Sequence, residues 1–156
     1  MNKSPLTGAY LRAFQKYADQ SGAVPCWNIM PYAAEIVDIA ARELGGSLDL
    51  CSIAYNVGIS KIVNNQHVDL LQPNEYGAIM AFIDEHTTCI VLDEKRSRQE
   101  RRFTLAHEIG HYMLHIRDNG RSFCMDTDAR KESEAELFAG ALIYFIDQRM
   151  KLATAA

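Results

Sequence analysis

The chain lacks any apolar run long enough to cross a bilayer, and it has no excess of basic residues. Its formal net charge is -4, whereas a domain built to bind nucleic acid normally has a basic excess on its binding face. We therefore expect neither a membrane-spanning segment nor direct binding to nucleic acid. The first twenty residues contain no apolar stretch of the kind found in secretory signals, so the expected location is the cytoplasm.

Cysteine and proline are also scarce, with four of each in 156 residues. The four cysteines are far apart and form no CxxC pair, which favours buried thiols over a disulfide framework in a cytoplasmic protein. A chain of this length can bury a core without covalent cross-links. We therefore expect a single compact domain with no internal repeat.

Hydrophobic spacing predicts the order of the secondary-structure elements. Helical patterns cover about 7–19, a segment that starts at Pro31 and stops at Gly45–Gly46, and about 49–56 ahead of Gly58. Three β-rich stretches follow, and the last two are close enough in sequence to form an antiparallel hairpin. They are 59–63, 77–84 and 87–93.

Two further helices are predicted after the strands, which gives an α+β domain. Ser97 and Glu100 have the spacing of a capping box, so a helix should begin near residue 98 and end at about 119–120. The last helix should run over about 129–151.

The first of these two helices carries the motif H-E-x-x-H at His107, Glu108 and His111. Residues four apart lie one turn apart on the same helix face, so both imidazoles can bind one Zn²⁺ ion. Glu108 lies beside the metal rather than on it, where a carboxylate can take a proton from the attacking water and return it to the leaving amine. This arrangement is typical of zinc metallopeptidases.

The alternative is that the two histidines are ordinary polar residues on a solvated helix face. Their neighbours argue against it, because a helix that is apolar on nearly every side is a buried one. Buried imidazoles and a buried carboxylate need partners, and a metal ion would supply them. The apolar neighbours are Leu105, Ala106, Ile109, Met113 and Leu114.

A catalytic zinc normally has a third protein ligand, and His115 is a poor candidate for it. It lies eight residues beyond His107, about 12 Å along a helix axis, and is better placed to complement the negative end of the helix dipole. A third histidine six residues after His111 is excluded because position 117 is Arg117. Cys124 and Asp126 follow in a loop, but nothing in the sequence positions either of them near the metal.

The last helix offers better candidates in the segment "ESEAELFAGAL". Glu132 and Glu136 share a face, so Glu132 is the expected ligand, and Glu136 is expected to accept a hydrogen bond from the free N–H of a histidine ligand. Glu134 is the alternative ligand. Taken alone, three acidic residues at the start of a helix would indicate no more than a solvated first turn.

The blocks "RFTLAHE-GH" and "E-x-E-A-x-x-FA", in this order, closely resemble the ImmA/IrrE family of zinc metallopeptidases. A weaker pattern over residues 50–59 also fits, and the resemblance covers roughly residues 32 to 146. The family commonly has Asn or Asp at the position of Glu136.

The resemblance implies a zincin-like metallopeptidase core with N-terminal helices, a small antiparallel sheet, the HExxH helix and a C-terminal ligand helix. It implies that His107, His111 and Glu132 bind zinc and that Glu108 is the base. It also implies the substrate, a DNA-binding repressor whose cleavage releases mobile-element or stress-response genes. On this interpretation residues 1–30 are an N-terminal helical extension packed on the core, and residues 31–151 form the metallopeptidase domain.

A regulatory binding module is the alternative function: a repressor partner or toxin–antitoxin component that retains a metal site without proteolysis. The intact Glu108 argues against it, because a purely structural site needs no base. The sequence does not identify the residue that would stabilise the oxyanion of the reaction. The candidates are Tyr112, His67, His86 and Tyr144.

A basic cluster precedes the motif and would form either salt bridges or a docking patch for a partner. It consists of Lys95, Arg96, Arg98, Arg101 and Arg102.

Overall fold

A computed structural model describes residues 6, 8–46, 48–65, 76–82, 87–116 and 129–155. Within them three helices come first, then three strands, then two helices, and this order confirms the α+β class. The final residues of α4 pass directly into a π-helical turn, Tyr112–Ile116. The elements are α1 Gly8–Tyr17, α2 Cys26–Leu44, α3 Leu50–Val57, β1 Lys61–Asn65, β2 Gly77–Phe82, β3 Thr87–Asp93, α4 Arg98–His111 and α5 Ala129–Ala155.

Side-chain caps fix the starts of two helices where the sequence predicts them. The Ser97 hydroxyl accepts a hydrogen bond from the backbone N–H of Glu100 at the start of α4, and Asp49 caps α3 by accepting from the N–H of Ser52. Gly58 ends α3 with a φ of 121°, a conformation that residues with a Cβ rarely adopt. These three boundaries are confirmed.

The predicted start of α2 at Pro31 is wrong. The helix begins five residues earlier, at Cys26, and Pro31 lies inside it. Pro25 precedes the first helical residue in an extended conformation, and it is this proline whose fixed φ suits the entry to the helix. Pro31 has no backbone N–H, so α2 lacks one backbone hydrogen bond close to its first turn. The burial of the side chains that follow stabilises the helix despite this loss.

The three strands form one sheet in the order β1-β3-β2. β2 and β3 pair antiparallel, as the predicted hairpin requires. β1 pairs with the other edge of β3 in the parallel direction, so the sheet is mixed and the expectation of a wholly antiparallel sheet is wrong in this respect. A hairpin connection constrains only the two strands that it joins, and β1 is separated from β2 by residues 66–76.

The core is formed where α5 packs against both α2 and α4, with α1 covering α2. The ring of Tyr32 on α2 lies at its centre and is fully buried, 6.1 Å from Phe138 on α5 and 6.0 Å from Phe14 on α1. Edge-to-face contacts at these distances add to the stabilisation gained from burying the rings. An ion pair between Arg149 and Asp38 also joins α5 to α2 at the surface.

The helices α4 and α5 run antiparallel and very close together. Arg102 near the start of α4 forms an ion pair of 2.8 Å with Asp147 in the second half of α5. Gly110 near the end of α4 lies against the backbone of Ala135, where a Cβ would stand only 3.1 Å from the carbonyl oxygen. The absence of a side chain at Gly110 therefore lets the first turns of α5 reach the face of α4 that carries the histidines.

The expectation of buried thiols is wrong for two cysteines. Cys26 and Cys51 are exposed and Cys89 is half-buried, and all three are free thiols. Cys26 and Cys51 lie in the first turns of α2 and α3 on the sides that face solvent. Cys124 lies outside the described residues. Across the part of the chain that the structure describes, no helix has the length and apolarity needed to cross a membrane.

Candidate metal centre

The HExxH motif lies on the last two turns of α4, as predicted. His107 and His111 project from the same face, and their Nε2 atoms are 3.2 Å apart. The rings are nearly perpendicular, with centroids 4.8 Å apart. His111 is buried and His107 is partly exposed, so the pair lies at the boundary between the core and solvent. The i, i+4 spacing therefore brings two nitrogen lone pairs to one point.

Glu132 comes to this point from the first turn of α5. Its Oε2 is 3.0 Å from Nε2 of His107 and its Oε1 is 3.0 Å from Nε2 of His111. The carboxylate thus faces both imidazoles at once, and it does so 21 residues after His111 in the sequence because the two helices pack closely at Gly110.

The three side chains have the spacing and the chemistry of a metal site. Within the described residues they are the group of His, Cys, Asp and Glu side chains that could hold an ion, with ligand atoms all within 4.8 Å of one another. Two ligands bound to a tetrahedral Zn²⁺ at about 2.0–2.1 Å are about 3.3 Å apart. The observed separations of 3.0–3.2 Å fit this value, and two imidazoles with a carboxylate form a common donor set for zinc in enzymes.

The buried environment of His111 favours the neutral form of its imidazole. Burial lowers the pKa of His111 to about 4, and the neighbouring His107 adds to the lowering while Glu132 opposes it. A metal ligand must be the neutral imidazole, because the protonated ring has no lone pair to offer. His111 therefore has the protonation state that a metal requires at neutral pH without first losing a proton.

Glu108, the residue expected to act as the base, is buried, with 6 % of its surface exposed. It follows His107 directly on α4, so its side chain leaves the helix about 100° away from the two histidines. The sequence pattern that surrounds it is apolar, and Leu105, Ala106 and Ile109 are buried as expected. Its burial beside the site is consistent with a carboxylate screened from bulk water.

The two other glutamates of α5 occupy different environments from each other. Glu136 is exposed, and its expected hydrogen bond with a histidine of the site stays a prediction. Glu134 is mostly buried and accepts a hydrogen bond of 2.8 Å from Arg130. Its Oε1 lies 3.7 Å from Nε2 of His115, and Glu134 does not belong to the group of three possible ligands.

His115 lies in the last turn of the helix, as predicted, but its contact with His111 was not predicted. It is buried in the π-helical turn, with its Nδ1 3.0 Å from Nδ1 of His111. It is not one of the three ligand candidates, as expected from its distance along the axis. The contact could have been predicted from the i, i+4 spacing of His111 and His115, which is the same as the spacing of His107 and His111.

The remaining candidates have no demonstrated place in the site. The ring of Tyr112 is fully buried and its hydroxyl points at the carbonyl of Val57, 3.5 Å away, while Tyr144 is 54 % exposed. His67, His86, Cys124 and Asp126 lie outside the described residues.

The basic cluster is partly engaged in the fold. Arg96 forms an ion pair of 3.3 Å with Asp93 and stacks 3.6 Å from the centre of the Tyr76 ring, and Arg102 forms the ion pair with Asp147 described above. These contacts favour the salt-bridge interpretation for two of its five residues.

A comparison with protein families supports the chemistry of this centre. Residues 69–144 match the family model of Peptidase_M78, described as the IrrE N-terminal-like domain. No curated protein matches the chain. The match spans β2, β3, α4 and most of α5, and therefore all three possible metal ligands. The α+β architecture fits a zincin-like core, and the match supports a metallopeptidase-like function for the segment 69–144.

Proposed function

We propose that this protein is a zinc-dependent endopeptidase that hydrolyses a peptide bond in a protein substrate. The observation that carries the proposal is the convergence of two imidazole Nε2 atoms and one carboxylate at 3.0–3.2 Å, next to a buried glutamate on the same helix. His107, His111 and Glu132 would hold the metal and Glu108 would be the general base. The family match supports a metallopeptidase-like protein in general terms.

A zinc ion bound here would polarise the scissile carbonyl and make the attacking water more acidic. Glu108 would accept a proton from that water through its carboxylate and later donate it to the leaving amine. Its burial favours this role, because a base screened from bulk water interacts more strongly with charge that develops beside it. The partial exposure of His107 and Glu132 leaves the solvent side of the centre open to a substrate.

The substrate that we propose is a DNA-binding repressor, with release of mobile-element or stress-response genes as the consequence. This part rests on the family resemblance, which the match to the IrrE N-terminal-like domain supports only at the level of a peptidase. We also propose a cytoplasmic location and no direct contact with nucleic acid or membrane. The division into an extension of residues 1–30 and a domain of residues 31–151 is kept as a proposal, with the qualification that α2 crosses residue 30.

An extended substrate segment would add to the sheet. In the three-stranded sheet of the described residues β2 lies at one edge, and it passes close to α4, since a Cβ on Gly77 would stand 2.5 Å from Cγ2 of Thr104. A peptide paired with this edge through main-chain hydrogen bonds would run beside the metal-binding helix.

The experiment that tests the proposal compares the zinc-loaded wild type with the Glu108→Gln variant. Each is incubated with a purified DNA-binding repressor from the same organism, and the products are identified by mass spectrometry. The expected result is cleavage by the wild type, no cleavage by Glu108→Gln, and the same zinc content in both, because Gln has nearly the same shape but cannot accept the proton.

A second arm tests the alternative function. If the wild type leaves the repressor intact and both proteins capture it equally in a pull-down, the peptidase proposal is wrong and the regulatory binding module is correct. A metal-free wild type serves as the control for contaminating proteases, because only zinc-dependent cleavage supports the proposal.

A further inference from the structure

His111 makes a second contact through the ring nitrogen that faces away from the possible metal. Its Nδ1 lies 3.0 Å from Nδ1 of His115, a hydrogen-bond distance between two atoms of the same kind. A neutral imidazole has one N–H donor and one lone pair. One of the two Nδ1 atoms must therefore donate and the other accept.

The proposed function decides which ring donates. If Nε2 of His111 offers its lone pair to a metal, the proton of that ring must be on Nδ1. Nδ1 of His115 is then the acceptor, and the proton of the His115 ring is on its Nε2. Each ring is thereby assigned one tautomer by the contact that it makes with its neighbour.

Glu134 lies on the other side of His115. Its Oε1 is 3.7 Å from Nε2 of His115, which is longer than a hydrogen bond but close enough to favour a proton on that nitrogen electrostatically. Arg130 donates a hydrogen bond of 2.8 Å to the same oxygen and so orients the carboxylate. His115 and Glu134 are 7 % and 12 % exposed, so the contact is shielded from water.

We propose that His115 and Glu134 are positioning residues that hold the imidazole of His111 in its orientation. In this relay, Nδ1–H of His111 donates to Nδ1 of His115, and Nε2 of His115 faces the carboxylate of Glu134. This inference rests on the proposed function and deepens it. A metal-binding histidine usually donates its second N–H directly to a carboxylate or a carbonyl, whereas here a second imidazole stands between the ligand and the carboxylate. The π-helical turn places it there, and such turns often occur at functional sites.

The relay also explains why two glutamates two residues apart have different roles. Glu132 faces the Nε2 atoms of the two possible ligands, while Glu134 faces the ring that supports one of them. One turn of α5 would thus supply both a metal ligand and the end of the support for another ligand.

The test compares two variants of His115 by their zinc affinity, measured by competition with a chelator of known affinity. His115→Phe keeps a ring of similar size but removes the acceptor, and we expect about 10–100-fold weaker binding. His115→Asn places an amide oxygen near the position of Nδ1, so its affinity should stay clearly closer to the wild type. Glu134→Ala should weaken binding, with Ser133→Ala as the exposed control on the same turn. A packing role alone would give the opposite order for the first two variants.

Nitrogen NMR of the histidine rings gives a readout that needs no variant. In the zinc-loaded wild type we expect His111 protonated on Nδ1 and His115 protonated on Nε2. A proton on Nδ1 of His115, or equal zinc affinity in wild type and His115→Phe, would overturn the relay while leaving the peptidase proposal intact. A wild type that binds no zinc would overturn both. If His115→Phe does not fold, the NMR assignment and the His115→Asn and Glu134→Ala variants still decide the question.

Discussion

Gly110 on α4 faces the backbone of Ala135 on α5, and a Cβ on Gly110 would stand 3.1 Å from the Ala135 carbonyl oxygen and 3.2 Å from the Phe138 ring. These distances are shorter than ordinary van der Waals contacts. The close approach is what allows Glu132, one turn before Ala135, to reach His107 and His111.

The Gly110→Ala substitution should therefore destabilise the protein despite the higher helix propensity of alanine. Overpacking costs about 1–3 kcal/mol, and the helix propensity of alanine returns about 1 kcal/mol, so we expect a net loss of about 1 kcal/mol in the free energy of unfolding. Zinc affinity should also fall, because α5 must move away from the histidines. Urea denaturation and chelator competition measure the two effects.

Gly140 on α5 provides the matched control. A Cβ there meets nothing within 4 Å, so Gly140→Ala should stabilise the protein by about 0.5–1 kcal/mol and leave zinc affinity unchanged. If Gly110→Ala stabilises the protein as much as Gly140→Ala does, the close packing of the two helices is not what limits the position of Glu132.

Replacement of Glu132 by Ala should remove more zinc affinity than any change in the residues that support the ligands. Loss of an outer partner costs about 10–100-fold, and loss of a ligand should exceed this. Metal content after dialysis against a weak chelator is the measurement. Zinc retained by Glu132→Ala but lost from Glu134→Ala would show that the ligand is the other glutamate.

The metal content of Glu136→Ala tests whether Glu136 accepts a hydrogen bond from one of the two histidines that would bind zinc. If Glu136 accepts a hydrogen bond from a ligand, as the sequence suggests, this variant should bind zinc more weakly than wild type. Its exposed position and the contact between His111 and His115 lead us to expect less than a threefold change, the size of effect typical for an exposed side chain without a fixed partner.

Features that depend on near neighbours in the chain could be predicted from the sequence. The common face of His107 and His111 follows from helical spacing alone, and the caps at Ser97 and Asp49 follow from hydrogen bonds that span three residues. The hairpin of β2 and β3 could be predicted for the same reason, since a short connection leaves few ways to pair two strands.

Features that depend on packing between distant segments could not be predicted from the sequence. Helical spacing favoured Glu132 over Glu134 as the ligand, but it could not show that Glu134 contacts His115, because that contact depends on how α5 packs against the end of α4. The parallel direction of β1 has no local signal, because its partner β3 is more than twenty residues away. The spacing of His111 and His115 allows their contact, but the π-helical turn and the burial of His115 could not be predicted, because they depend on how the end of α4 meets the core.

The cap at Ser97 should contribute measurably to the stability of the helix that carries the site. Its hydroxyl accepts a hydrogen bond of 3.1 Å from the N–H of Glu100, and replacement of such a cap by Ala costs typically about 1 kcal/mol. Urea denaturation of Ser97→Ala should show this loss. Ser97→Asp, which retains an acceptor, should recover most of the stability, and equal loss in both variants would contradict a capping role.

The metal-free protein should lose stability as the pH falls from about 6.5 to 4. Burial and His107 lower the pKa of His111 from 6.5 to about 4 in the folded protein, so between these values the unfolded chain binds a proton that the folded chain does not. Stability is therefore full above pH 6.5 and declines below it, by an amount of up to about 3 kcal/mol if His111 titrates alone. Urea midpoints measured from pH 7.5 to 4 give the slope.

The control is His111→Gln, which has no group that titrates in this range. Other histidines and carboxylates contribute to the acid side of both curves, so the difference between wild type and variant isolates His111. We expect the wild-type curve to fall more steeply between pH 6.5 and 4. Zinc should lower the pH at which the wild type begins to unfold, because it binds the neutral ring and competes with the proton, and it should leave the curve of His111→Gln nearly unchanged. Parallel curves for the two metal-free proteins would show that the buried position of His111 does not suppress its protonation.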